Sequence, residues 1–116
     1  MKWLSLLSLV ACSDKAIDSV PLDTSSCETL PVVNYANFGE GFITHYCQGC
    51  HASTAPDRYD APEAITFDDA AQIWALSDRI LARAAADPPT MPPAGGTSED
   101  DRTKLIWWLT CAEPGT

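Results

Sequence analysis

Cys47, Cys50 and His51 stand together in the segment Cys47-Gln48-Gly49-Cys50-His51. Two thiols at this spacing share one helical turn, and each can add to one of the two vinyl groups on a single porphyrin edge. The adjacent His51 then lies under the ring, where a ring nitrogen can bind iron. C-x-x-C-H is the signal for covalent attachment of a c-type haem. Two other chemistries use a C-x-x-C pair. A thioredoxin-like redox pair belongs in a βαβ setting, and no strand-like alternation surrounds these residues. The pair could also be half of a zinc site. The remaining cysteines lie far apart with no second C-x-x-C, and His45 is the only other histidine. The spacing predicts haem c, with zinc binding and thiol chemistry as the alternatives.

A soft donor follows downstream. Met91 sits in Asp87-Pro88-Pro89-Thr90-Met91-Pro92-Pro93-Ala94-Gly95-Gly96, and no other methionine occurs after Met1. Its four prolines make the segment a stiff, non-helical loop. A thioether suits haem iron. The expectation is that His51 and Met91 take the two axial positions; the alternative is a hydrophobe closing the loop over the core. His45 lies too close to His51 to reach the opposite ring face, so it is expected as an exposed helix residue. The other nitrogen of His51 should donate to a carbonyl of the 52–64 loop, with Pro62 as the candidate position. Arg58 and the Trp74 indole are candidate partners for a haem propionate, against a solvated arginine and a core aromatic.

The elements that must position these residues come from a chain of 116 residues, which bounds the answer at one domain. The net charge of −9 gives no basic footprint for nucleic acid. Such acidity suits solubility and steering toward a redox partner with a basic docking patch. Met1-Lys2 followed by the apolar run Trp3 to Ala11 is too short to span a bilayer and reads as a signal peptide over 1–11. Its end, Leu9-Val10-Ala11-Cys12, resembles the lipobox of bacterial lipoproteins. That resemblance implies lipidation of Cys12 and a periplasmic protein anchored to the membrane. Ser13 does not look like the aspartate that retains many lipoproteins at the inner membrane, so the outer membrane is favoured. Residues 12–33 then form a flexible lipid-anchored tether, polar and turn-prone at least to Ser26. With Cys12 assigned to lipid and Cys47 and Cys50 to haem, Cys27 and Cys111 remain, and an exported compartment lets them pair as a disulfide.

The domain spans 34–116 and reads as all-α, three to five short helices wrapped around one covalent haem. Asn37 or Asn34 caps a first helix, with Phe38, Phe42, Ile43 and Tyr46 on one face. Gly39 and Gly41 in that helix suggest close approach of another element. Thr66 is the expected cap of a middle helical stretch running to Ala84, either one helix or two with a break at Ser77-Asp78. Arg79 and Arg83 share one face there and read as solvated. Thr97 or Ser98 caps a last helix with Glu99, Asp100 and Asp101 in its first turn and Leu105, Ile106, Trp108 and Leu109 on its buried face.

From Tyr35 to Ala112 this order of features resembles the class I cytochromes c. The match lies in Gly39 with Phe42 and Ile43 ahead of the haem motif, the Thr90-Met91-Pro92-Pro93 loop, and the terminal Leu105-Ile106-Trp107-Trp108-Leu109. The resemblance implies that the first and last helices cross at Gly39 and Trp108. The Cys27–Cys111 pair departs from the common family pattern. With both axial positions filled, the expected role is single-electron transfer rather than catalysis. The alternatives are a haem enzyme or a gas or redox sensor with an open or displaceable sixth position, and a thiol oxidoreductase built on Cys47 and Cys50.

Overall fold

A computed structural model describes residues 24–116. The signal segment 1–11 and the lipid attachment at Cys12 lie outside the described residues. Among those described, the chain is helical and carries no strand.

The first helix owes its start to two asparagines. Asn34 has an extended backbone, and its side chain accepts from the Asn37 N–H at 2.9 Å. Asn37 Oδ1 accepts in turn from the Asn34 N–H at 2.9 Å. This reciprocal cap satisfies donors that a helix end leaves free. Asn34 is therefore the cap, and Asn37 lies three residues inside. A π-helical segment, Tyr35–Gly39, leads directly into α1, Glu40–Tyr46. Cys47, at φ −120° and ψ −43°, interrupts the helix before the short α2, Gln48–His51.

The middle stretch is two helices, α3, Ala70–Ala75, and α4, Ser77–Ala84, separated by Leu76 at φ −113° and ψ 14°. Asp69 caps α3 by accepting from the Gln72 N–H at 2.9 Å. Thr66, the expected cap, instead donates to Gln72 Oε1 at 3.2 Å, and the Asp68 N–H donates to the same oxygen at 2.9 Å. The Gln72 side chain thus folds back over the entry turn, which displaces the start of the helix. Ser98 caps α5, Glu99–Cys111, by accepting from the Asp101 N–H at 3.0 Å. Its acidic first turn complements the positive end of the helix dipole.

Trp108, Ile43, Ile73 and Leu105 are the largest fully buried side chains. The centre of the packing is the crossing of the π-helical segment and α5. A Cβ built on Gly39 would meet three ring atoms of Trp108, all within 2.7 Å. Only a glycine lets the backbone come this close. Gly41 has nothing within 4 Å, so the close approach is at Gly39 alone. Tyr35, Phe38 and Trp74 surround Trp108 with ring centroids 6.2, 6.4 and 6.2 Å away. The Thr116 carbonyl accepts from both the Trp108 indole N–H, at 3.1 Å, and the Tyr35 N–H, at 2.7 Å.

A disulfide bond joins Cys27 to Cys111, with Cα atoms 5.4 Å apart. Cys27 lies in a 3₁₀ turn, Thr24–Glu28, and Val33 is buried with the core. Cys27 and Val33, which composition placed in the tether, are therefore joined to the folded body. The reason is the crosslink to the end of α5 together with the apolar Val33, neither of which a low-hydrophobicity count weighs. Replacing both Cys27 and Cys111 with serine is expected to lower the unfolding free energy by about 2–5 kcal/mol. Chemical denaturation reads this directly; an unmoved midpoint would show that the crosslink constrains little.

Candidate functional site

One cavity of about 380 Å³ opens between α1, α2, α4 and the loops that follow α2 and α4. Its size suits a small organic ligand. Cys47, Cys50, His51 and Met91 all line it. Buried Phe42, Phe67, Ile80 and Ala84 supply apolar wall, while Arg58, Asp60, Arg79 and Arg83 supply charge. Arg79 and Arg83, read from the sequence as a solvated face, are exposed yet line this cavity.

His51 is the most firmly fixed of these side chains. Its Nδ1 lies 3.1 Å from the Ile65 carbonyl oxygen. A carbonyl only accepts, so Nδ1 is the donor, and the tautomer with that proton presents its lone pair on Nε2. The same strand of loop is sewn to α2 twice more. The Phe67 N–H donates to the His51 carbonyl at 2.7 Å, and Gln48 Nε2 donates to the Phe67 carbonyl at 2.9 Å. The Phe67 ring lies 5.1 Å from the imidazole centroid to centroid. The acceptor is thus Ile65, one residue past the loop expected to supply it, and not Pro62. The Pro62 carbonyl is committed to Arg58 Nη2 and to the Ile65 N–H, each at 2.9 Å.

Arg58 organises this loop. Its guanidinium donates to the carbonyls of Pro62 and Ile65 at 2.9 Å, of Cys50 at 3.3 Å and of Glu63 at 3.4 Å. Its donors face backbone, so it stands neither as a free surface charge nor as an uncommitted propionate partner. The anchoring has a local cost. Tyr59 and Asp60 adopt φ of 50° and 63°, a left-handed conformation that strains residues other than glycine. Asp57 Oδ1 accepts from the Tyr59 N–H at 2.8 Å and helps hold the turn. Asp68 ties the other side of the loop by accepting from the Ser53 N–H at 2.9 Å. That bond, reinforced by the nearby Arg58 charge, holds its carboxyl below the usual aspartate value.

Met91 reaches the cavity from the opposite part of the chain. The N–H groups of Thr90 and Met91 both donate to the Arg83 carbonyl, at 2.8 and 3.0 Å. That carbonyl belongs to the last turn of α4, where helix geometry leaves acceptors free. The proline-rich loop is therefore pinned back on the helix it leaves, with Met91 36% exposed.

His45 is exposed, packs edge-on against Tyr46 with centroids 4.6 Å apart, and does not itself line the cavity. Trp74 packs edge-on against Trp108 and does not line the cavity; its Nε1 is buried without a hydrogen-bond partner. Cys47 and Cys50 are free thiols, and burial pushes Cys47 up to about 12. Thiol–disulfide chemistry needs a thiolate, and reactive C-x-x-C pairs lower this value rather than raise it. Among the described residues no three His, Cys, Asp or Glu side chains gather as a zinc site requires. The arrangement instead offers two thiols, an imidazole whose Nδ1 faces a carbonyl, and a thioether, all around one largely apolar space.

Fold and site together define, among the described residues, a small all-helical domain with a cavity that gathers two thiols, an imidazole and a thioether. Neither family models, nor characterised proteins, nor solved structures gave a match to this chain.

Proposed function

We propose that this chain is a class I c-type cytochrome, tethered by lipid to the periplasmic side of a membrane, that passes single electrons between protein partners. One observation carries the reading: Cys47, Cys50, His51 and the sequence-distant Met91 line the same apolar cavity. These residues fit a covalent haem, since both thiols and both axial donor types are present. When bound, haem c supplies a one-electron ferric/ferrous couple.

The chain's own residues have distinct parts in this. The Cys47 and Cys50 sulfurs would form the two thioether links. His51 would bind iron through Nε2 while its Nδ1–H stays on the Ile65 carbonyl, which fixes the ring and sets its basicity. Met91 would be the second residue to hold the iron, and a thioether in that role raises the potential relative to two histidines. Buried Phe42, Phe67 and Ile80 would give the haem an apolar wall. The acidic surface would steer a partner with a basic docking patch, and Cys12 would carry the lipid anchor. No helix among the described residues is long and apolar enough to cross a membrane.

A second reading has one observation in its favour. Met91 is partly exposed and held through backbone bonds alone, which suits a haem enzyme or sensor whose sixth position is displaceable.

Intact-mass analysis of protein matured in a host with haem-attachment machinery tests the proposal. One haem should remain on the peptide bearing Cys47 and Cys50 after acid–acetone extraction, and acyl mass should sit on Cys12. A polypeptide stripped of all haem by that extraction would overturn the cytochrome reading; an unmodified Cys12 would overturn the anchor.

A further inference from the structure

We infer that Arg58 is a positioning residue that raises the reduction potential by sharing the Ile65 carbonyl with the His51 ring. The inference deepens the haem reading above and rests on it. The Ile65 oxygen accepts from His51 Nδ1 at 3.1 Å and from Arg58 Nη2 at 2.9 Å. A carbonyl oxygen has two lone pairs, and both are used here. The arginine bond is the shorter and comes from a group that is always charged.

The consequence follows from how an axial imidazole is tuned. A strong acceptor on Nδ1–H draws the proton away and makes the ring a better donor, which favours the more positive ferric state. A guanidinium on the same oxygen withdraws electron density from it. The carbonyl becomes a weaker acceptor for Nδ1–H, and the imidazole a weaker donor to iron. The positive charge on this side of the ring acts in the same direction, since it opposes the extra charge of ferric iron. Both effects favour the reduced state.

Arg58 is built for this rather than for loose solvation. Its other donors reach the carbonyls of Cys50, Glu63 and Pro62, so the guanidinium is fixed at the end of the haem-binding motif. The left-handed Tyr59 and Asp60 that follow are the backbone conformation through which the chain turns there. An arginine needed only to cover a loop would not have to meet the one carbonyl that also serves the imidazole.

The test uses haem-loaded protein and three variants. Arg58→Met removes the charge and the donors but keeps an apolar stem. Arg58→Lys keeps the charge without the fork. Lys104→Met removes a half-buried cation, paired with Asp100 and outside the cavity lining, and serves as the charge control. Spectroelectrochemical titration should show the equilibrium constant for reduction falling about tenfold in Arg58→Met, which for one electron is about 59 mV. Arg58→Lys should fall between that variant and the parent, and Lys104→Met should stay at the parent value. The Nδ1 proton resonance of His51 in the reduced state should move downfield in both Arg58 variants, as its hydrogen bond strengthens. Should Arg58→Met fail to accumulate, Arg58→Lys and this resonance decide the matter alone. A low-spin, haem-loaded Arg58 variant with parental potential and an unmoved Nδ1 proton would overturn the inference and leave the haem reading standing. A parent protein without covalent haem would overturn the haem reading itself.

Discussion

Met91→Ala should shift the ferric visible spectrum from low spin toward high spin and lower the reduction potential. Met91 supplies the only thioether among the residues that line the cavity, and on the haem reading it is the proposed second iron ligand. Alanine removes it without removing what holds the loop. The N–H groups of Thr90 and Met91 that bond the Arg83 carbonyl belong to the backbone. The four flanking prolines keep the loop's conformational freedom low in the unfolded chain as well. The loop should therefore stay in position, and in haem-loaded protein water or an added ligand should take the place of the thioether. The equilibrium constant for reduction is expected to fall by more than about tenfold, or more than about 59 mV for one electron. Met91→His should remain low spin with a lower potential, because imidazole favours ferric iron more than a thioether does. A Met91→Ala protein with parental spectrum and potential would reduce Met91 to a loop hydrophobe and favour the sensor or enzyme reading.

The second large effect concerns two glycines in the same helical run, with opposite signs. Gly39→Ala adds a Cβ that meets the Trp108 ring within 2.7 Å. The ring has little room to retreat, being fully buried, ringed by Tyr35, Phe38 and Trp74, and tied to the Thr116 carbonyl. Overpacking of this kind costs about 1–3 kcal/mol and sometimes more. Alanine gains about 1 kcal/mol over glycine in a helix, which does not offset a clash with an immobile indole. Gly41→Ala meets nothing within 4 Å and so keeps that gain. Denaturant titration should therefore find Gly39→Ala destabilised and Gly41→Ala stabilised. Trp108→Ala, which empties the crossing, should cost about 3–5 kcal/mol, a large share of the stability of a domain this small. Equal effects at the two glycines would mean that the crossing is not as tight as this geometry requires.

Much of the scaffold was legible because it depends on side chains with few alternatives. Ser98 followed by three acidic residues marks the start of α5 with a cap and a dipole complement, and the helix begins there. The parity of the cysteines identified Cys27 and Cys111 as a pair, and they are bonded. Gly39 and Trp108, taken together from the resemblance, do meet at a helix crossing. What the sequence left hidden was carried by backbone atoms. The His51 acceptor is a carbonyl, which every residue owns, so nothing in the letter of residue 65 distinguishes it from residue 62. Arg58 likewise bonds only to carbonyls, and its partners have no sequence signature. At α3 the sequence pointed to Thr66 as the cap, but Asp69 caps the helix and the Gln72 side chain takes up Thr66 and the Asp68 N–H. Arg79 and Arg83 share a helix face that looks solvated until the proline-rich loop folds back to make a cavity beside it.

The bond between Cys27 and Cys111, 84 positions apart, turns nearly the whole described body into a closed covalent ring. Every segment that lines the cavity lies inside that ring. A protease that cuts once between the two cysteines, for example at the exposed turn around Gly95, yields one molecule with two new ends rather than two fragments. On a non-reducing gel such a nicked chain keeps its mass, and only a thiol reductant releases α5 from the part carrying Cys47, Cys50 and His51. Damage to a surface loop therefore leaves the two halves tethered as neighbours, close enough for the Gly39–Trp108 crossing to re-form without a bimolecular search.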